Sequence, residues 1–428
     1  MKKFIDVTIH LVKSSTVKDT SILFVGNILT AFLGFALILI LARSLSIEDM
    51  GVFSAFTNLM LLLGTFADPG ISSAIVKFVA ETRKRKNFRL EKKYISAALK
   101  IQLGIFLVIT LLLVVFSNLV AKNLLATEDN LLVIVLVVAV FAQIIWLFSS
   151  YVLRARRKFI YSASVDVITG CLRFVSILLL VFTSTLIVRS STLLYALTTL
   201  IAGSFGFYFL GGIYLNIKPE RTQYISLLKF SSWLGVNKIS SVLASRIDIQ
   251  MLALLAGATS TGLYSIPSRL IFFVTVLVSS LSAVVSPRFA SFNNKELEKK
   301  YLLKILVFSL LIVGGLVFWY LLADPFITVL FGDKYHDSVP IFRLLILSIV
   351  PFVLTTPSVN AIIYSIKKPK YIGFFSIFQL ILIILLNVIF IQRFGALGPT
   401  YSLLIANTLL AIYTWIIVIR YYWNTNEK

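Results

Sequence analysis

The sequence predicts an all-α membrane protein, with twelve transmembrane helices in two six-helix lobes related by a pseudo-two-fold axis along the membrane normal. Three observations lead there. Of the 428 residues 59% are hydrophobic and only 14% charged, with a mean hydropathy of +0.96; soluble domains carry roughly 25% charged residues. Apolar runs recur from end to end, each long enough to cross a hydrocarbon layer of ~30 Å. The second half of the chain also echoes the first, and a direct repeat of this kind implies two lobes of parallel topology. The ten-residue alternation of a membrane barrel is absent.

Marking apolar runs against charge clusters places the spans at 20–44, 49–80, 94–119, 129–153, 159–186, 191–216, 225–256, 261–290, 301–323, 338–365, 370–392 and 396–422. The second, seventh and eighth are longer than a membrane requires, so tilt or kinks are expected in them. Ahead of the first, Phe4 to Val17 reads as a short interfacial segment, because its apolar run outlasts a signal-peptide core. The lobes are assigned to residues 1–218, with the N-terminal cytoplasmic segment, and 219–428.

Orientation follows from Lys and Arg in alternate connections. The N-terminus, "RKRKNFRLEKK" (83–93), "RARRK" (154–158), Lys218 to Lys229, Arg288 to Lys304, "KKPK" (367–370) and the C-terminus, with Lys77 and Lys100, hold 30 of the 40 basic residues and 8 acids. The opposite side has 6 basic residues and 7 acids. Both termini are therefore expected in the cytoplasm, in a plasma membrane. The net charge of +22 is explained by this retention signal and by contact with anionic lipid headgroups, not by nucleic acid. The single cysteine, Cys171, excludes an intramolecular disulfide, and His10 and His336 have no neighbours at metal-ligand spacing.

The internal echo is local and keeps its phase. "GNILTAFLGFALILILARSLSIEDMGVFS" from Gly26 answers "GVNKISSVLASRIDIQMLALLAGATSTGLYS" from Gly235. Gly51 and Gly262 occupy matching positions, and "KFVA" (77–80) matches "RFAS" (288–291).

The stretch "SRIDIQMLALLAGATSTGLYSIPSRLIFFVTVLVSSLSAVVSPRFASF" (245–292) resembles Wzx-type polysaccharide and O-antigen flippases of the multidrug/oligosaccharidyl-lipid/polysaccharide exporter superfamily. Residues 42–81, 331–370 and 394–413 carry the likeness further, over almost the whole chain. The resemblance implies export of a polyprenyl-diphosphate-linked oligosaccharide from the cytoplasmic to the outer leaflet by alternating access, for surface polysaccharide synthesis. It also implies a cavity between the lobes, often cationic, and dealings with a surface-glycan polymerase or glycosyltransferases. Lipid II flippases of the superfamily usually have two further helices, for which this chain has no room. A monomer is the default for two fused lobes.

Seven ionisable residues fall inside spans: Asp68, Asp166, Arg173, Lys238, Arg246, Asp248 and Arg269. Each costs at least a few kcal/mol at the bilayer centre, so protein or water should face them. Lys238, Ser241, Ser245 and Asp248 lie within roughly 80° of one helix face. Arg246 and Gln250 make a second polar strip at i, i+4. Ser162, Asp166, Thr169 and Arg173 align on another helix, where Asp166 and Arg173 are roughly 10 Å apart along the axis, too far for a direct pair. Asn27 starts a milder strip with Thr30 and Gly34. Arg246, Arg173, Arg269, Lys238 and Asn27 are the candidate substrate residues, since guanidinium holds phosphate oxygens by paired hydrogen bonds and ammonium as a point charge. Asp248, Asp166 and Asp68 are candidates for ion pairs or for coupling to H+ or Na+; no other cofactor and no metal is expected.

Pro69 and Gly70 in "FADPG" (66–70) should kink the second span, with Asp68 capping the freed N–H groups. Pro267, Pro351 and Pro357 are further candidate hinges, expected to break their spans. Two other functions compete. A cation-coupled multidrug antiporter of the same superfamily needs an acidic, aromatic cavity, whereas the intramembrane count here is four cations to three anions. A polytopic glycosyltransferase would use acids in the first outer loop, and "SIEDMG" (46–51) has Glu48 and Asp49. Ser46 followed by Asp49 reads equally as a helix start, and no outer connection is long enough to hold donor and acceptor sugars. The chain is therefore expected not to be an enzyme.

Overall fold

The computed structural model describes residues 15–423 apart from Ile213 and Asn293. The interfacial segment expected from Phe4 lies outside the described residues except for its last few, which already belong to α1. Among the described residues all regular structure is helical. The order is α1 (Ser15–Ser44), α2 (Ile47–Ala67), α3 (Ile71–Lys84), α4 (Phe88–Val115), α5 (Leu131–Ala155), α6 (Phe159–Phe182), α7 (Val188–Leu210), α8 (Arg221–Ser291), α9 (Lys295–Leu321), α10 (Ala323–Phe331), α11 (Ser338–Asn360), α12 (Pro369–Phe394) and α13 (Gly398–Trp423).

Ten stretches of the described residues are long and apolar enough to cross a membrane. Two of them, Arg221–Ser291 with 71 residues and Pro369–Trp423 with 55, are each longer than two hydrocarbon widths at about 1.5 Å per residue. Each is also interrupted. Gly257 has φ +77° and ψ −175°, a backbone state open essentially to glycine alone, and the turn Gly395–Leu397 separates α12 from α13. Exposed apolar side chains repeat at helical spacing along outward faces: Leu107, Leu111 and Val115 on α4, and Phe374, Ile377, Ile381 and Leu385 on α12. A water-facing helix would not carry such stripes, and a lipid-facing one must.

The chain divides into two compact units. The first holds residues up to Ser46 and Phe56–Leu243. Within it α1 packs on α6, and α5 packs on α7 and α3. Its core gathers Ile71, Ile75, Leu99, Phe148, Val152, Phe207 and Leu227. Small residues set the α5–α7 spacing: a Cβ on Gly203 would lie 2.9 Å from the Trp146 nitrogen, and one on Gly206 2.2 Å from Ser149 Oγ. Without a hydrophobic drive between helices in lipid, close backbone approach of this kind is what favours association. α7 closes at Leu210, short of the expected residue 216, because Gly211 turns left-handed at φ +80°.

The second unit holds Ile47–Ala55 and the chain from Ala244 on. Here α11 packs on α13 and α9, around Val285, Phe289, Leu302, Ala361, Ile362 and Val418. Some buried polar groups pair inside it, as Ser358 Oγ with Thr414 Oγ1 at 2.9 Å and Asn407 Nδ2 to the Ser348 carbonyl at 2.9 Å. The start of α2 crosses α8 through the two glycines that the repeat aligned. A Cβ on Gly51 would sit 1.8 Å from the Ala258 carbonyl oxygen, and one on Gly262 2.0 Å from that of Ile47. Each glycine therefore meets a carbonyl four residues before its counterpart.

Replacing Gly262 by valine should accordingly overpack this crossing and cost about 1–3 kcal/mol or more. Gly104→Ala, where nothing lies within 4 Å, should be neutral or slightly stabilising. Thermal melts of the two purified variants in one detergent check the contrast.

Ionisable groups inside the spans

The break after α2 builds the first charged cluster. α2 ends at Ala67 since Pro69 has no N–H to give, and Gly70 takes φ +78° before α3 begins. Asp68 does cap the new helix: its Oδ1 accepts the Ser72 N–H at 2.8 Å. The same oxygen accepts Gln102 Nε2 of α4 at 2.9 Å. Oδ2 faces Lys238 Nζ of α8 at 2.7 Å, and that ammonium also donates to the Asp68 carbonyl at 3.2 Å. The approach depends on glycine again, since a Cβ on Gly235 would lie 2.6 Å from the Pro69 carbonyl oxygen. Lys238 is three residues further along, on the same face of α8. The pair is unequal: the Asp68 side chain is 2% exposed and that of Lys238 30%.

Asp166 and Arg173 lie on α6 and do not pair. Asp166 Oδ2 takes Arg154 Nη2 of α5 at 3.1 Å, while Arg154 Nε donates to Ser162 Oγ at 2.9 Å. Asp166 Oδ1 is buried without a hydrogen-bond partner among the described residues. Arg173 stacks its guanidinium 3.6 Å from the centre of the Tyr195 ring and donates from Nη2 to Thr199 Oγ1 at 2.7 Å. Its buried Nε has no partner among the described residues, nor does any carboxylate reach ion-pair distance of the group there.

In the second unit Asp248 accepts the Tyr264 hydroxyl and, through Oδ1, the Ile249 N–H at 2.8 Å. Arg246 and Arg269 are half-buried on the same helix; Arg269 Nη2 reaches Ser54 Oγ of α2 at 3.5 Å. Asn27 is exposed on α1. The candidates are thus gathered in separate groups: Asp68 with Lys238; Asp166 with Arg154 and not with Arg173; Asp248 with Tyr264.

Only one of the proline expectations changes the backbone as foreseen, at Pro69–Gly70. The helix runs on through Pro267, and α11 continues through Pro351 and Pro357. This corrects the expectation that they break their spans. A lost N–H within a membrane helix is tolerated where the freed carbonyl finds other donors. The interruptions fall instead at Gly257 and at a wide turn over Ala361–Ser365. Glu48 and Asp49 fall in the first turn of α2, favourably placed against the helix dipole.

Several partners were not singled out in the sequence. Gln102, Tyr195, Thr199 and Tyr264 are uncharged, and the only signal is a polar group inside an apolar run. Arg154 looked like a flanking charge. So did Arg156, whose side chain is 8% exposed: its Nε pairs with Glu91 Oε1 at 2.6 Å, Nη1 donates to the Leu210 carbonyl at 2.9 Å and Nη2 to Tyr214 at 3.1 Å. The segment after α7 is fastened further by Lys100 Nζ and Ser96 Oγ on the Ile217 carbonyl, at 3.0 and 2.8 Å, and by Lys93 on Glu220. The Lys93 ammonium holds the exposed Glu220 carboxyl below its ordinary range.

A multi-pass helical membrane protein that shelters charge inside its spans is the class these features define. Residues 16–293 match the family of polysaccharide biosynthesis proteins, more than half of the chain, and the chain belongs to that family. A putative O-antigen transporter of Shigella flexneri is 21% identical over 379 residues, covering 85% of this chain and 88% of that protein. Two solved structures share the fold. The lipid II flippase MurJ in an inward closed conformation has a TM-score of 0.73 at 16% identity, over 94% of this chain and 87% of that one. An inward-facing multidrug resistance transporter of the MATE family, in the MOP superfamily, has 0.71 at 15%, over 93% and 96%.

Removing Arg156 would leave Glu91 buried and unpaired but for Arg83 at 3.6 Å. Arg156→Ala is expected to destabilise the protein by about 3–5 kcal/mol, against less than ~1 kcal/mol for Arg85→Ala in its exposed pair with Glu81. Unfolding of both variants in mild detergent measures the difference.

Proposed function

We propose that the protein exports a polyprenyl-diphosphate-linked oligosaccharide from the cytoplasmic to the outer leaflet of a plasma membrane, and that it is a transporter and not an enzyme. In this reading twelve spans form two six-helix lobes, residues 1–218 and 219–428, with both termini in the cytoplasm and alternating access as the mechanism. Membership of the polysaccharide biosynthesis family and the likeness to a putative O-antigen transporter support the substrate class. The observation that carries it is Arg173. A guanidinium kept within an apolar helix, held by a hydroxyl and a ring and, among the described residues, by no carboxylate, leaves positive charge for an anion to balance, and intramembrane charges of this kind mark substrate paths.

Lys238, Arg173, Arg246, Arg269 and Asn27 would meet the diphosphate in turn. Asp248, Asp166 and Asp68 would balance these cations or couple transport to H+ or Na+. A multidrug cation antiporter is the second reading, favoured by the buried, half-satisfied carboxylate of Asp166. Against it, Asp166 already holds Arg154 and Asp248 already holds a phenol.

Arg173→Met and Arg246→Ala should each lower surface-glycan export by about tenfold or more, the worth of one charge-assisted hydrogen bond, while the protein still reaches the membrane. Cell-surface glycan labelling with a membrane-fraction immunoblot reads both. Undiminished glycan, or a change in organic-cation resistance instead, would favour the antiporter.

A further inference from the structure

Lys238 meets its anion in an unusual division of labour. Asp68 is almost wholly enclosed and is fixed three ways: its own position at the break, the Ser72 N–H and Gln102 Nε2 all hold one oxygen or the backbone in place. Those two neutral donors serve Oδ1 alone, so the carboxylate keeps hydrogen bonds even when Oδ2 loses its cation. Lys238 differs on each count. Its ammonium ends a flexible four-carbon stem, its side chain is 30% exposed, and among the described residues its hydrogen bonds go to that one residue. One partner is enclosed and held by several donors, and the other is a long side chain that is partly exposed.

We propose that Lys238 exchanges counter-ions during transport, resting on Asp68 and transferring to a diphosphate headgroup when one reaches it. Asp68 is then a positioning and specificity-determining residue, although it never touches substrate. A lone ammonium in an apolar span would be costly; Asp68 balances it between cycles. It also sets a threshold, because a ligand must outbid a carboxylate that is already in contact. A headgroup with two adjoining phosphates can do so, and a neutral or singly charged lipid cannot. The return of Lys238 to Asp68 then aids release. This inference rests on the reading of the substrate as an anionic diphosphate lipid.

The test uses the full chain in nanodiscs with farnesyl diphosphate, with inorganic pyrophosphate as a second arm to separate a lipid diphosphate from the free anion. Asp68→Asn should tighten farnesyl diphosphate binding by about tenfold, and the same change in a Lys238→Met background should have no effect. Tightening that persists without Lys238, or none with it, overturns the exchange. A measurement on the unaltered protein guards against a variant that misfolds. A hydrophobic carbodiimide should join Asp68 to Lys238 as an amide detectable by mass spectrometry, and farnesyl diphosphate should suppress that product. An unchanged yield at saturating ligand overturns the exchange while leaving the substrate reading intact. Suppression by pyrophosphate at equal concentration would overturn the lipid part of it. Failure of the unaltered protein to bind farnesyl diphosphate would overturn both.

Discussion

Charge held inside hydrocarbon is the constraint on which the rest of this structure turns. Apolar helices satisfy their own backbone, so a chain of this composition can cross a membrane cheaply wherever its side chains are greasy. Every ionisable group within a span raises that cost by at least a few kcal/mol unless something polar is brought to it. The protein brings it in three different ways. Asp68 receives a cation and two neutral donors, Asp248 receives a phenol and a backbone N–H, and Arg173 receives a hydroxyl and an aromatic face.

Glycine makes these arrangements reachable. The ammonium of Lys238 meets Asp68 because Gly235 lets α8 lie against the Pro69 backbone, and the start of α2 reaches α8 because neither Gly51 nor Gly262 has a Cβ. A larger residue at any of them would separate the helices and strand the polar groups beyond. Backbone proximity comes first, and the charge pairs follow from it. The lysine- and arginine-rich connections obey the same order on a larger scale: Arg156, Lys100 and Lys93 fasten the segment after α7 to α4 and the end of α5, so basic residues that would serve as orientation signals also act as struts.

Much of this could be read before any coordinates. Helical spans announce themselves through length and hydropathy, and the break at Asp68–Pro69–Gly70 through backbone chemistry that needs no neighbour. The matched glycines, 51 and 262, were visible as an echo, though not as partners. What stayed hidden is tertiary. Nothing local to Asp166 names Arg154, twelve positions upstream on another helix, and nothing local to Lys238 names Asp68, 170 positions away. Proline misled for a related reason: at 267, 351 and 357 the surroundings decide whether a missing N–H bends the helix, and there the helix continues. Gly257, which does interrupt α8, looked ordinary in an alanine- and leucine-rich run.

The central claim is that these sheltered cations exist to carry an acidic lipid headgroup through the membrane. Purified protein in liposomes loaded with a fluorescent polyprenyl diphosphate sugar, with outer-leaflet label quenched by dithionite, measures that passage directly. The account predicts that inner-leaflet lipid becomes accessible many-fold faster than in protein-free liposomes, and that the matching neutral polyprenol gains nothing. Equal rates with and without protein, or acceleration of both lipids alike, would contradict it.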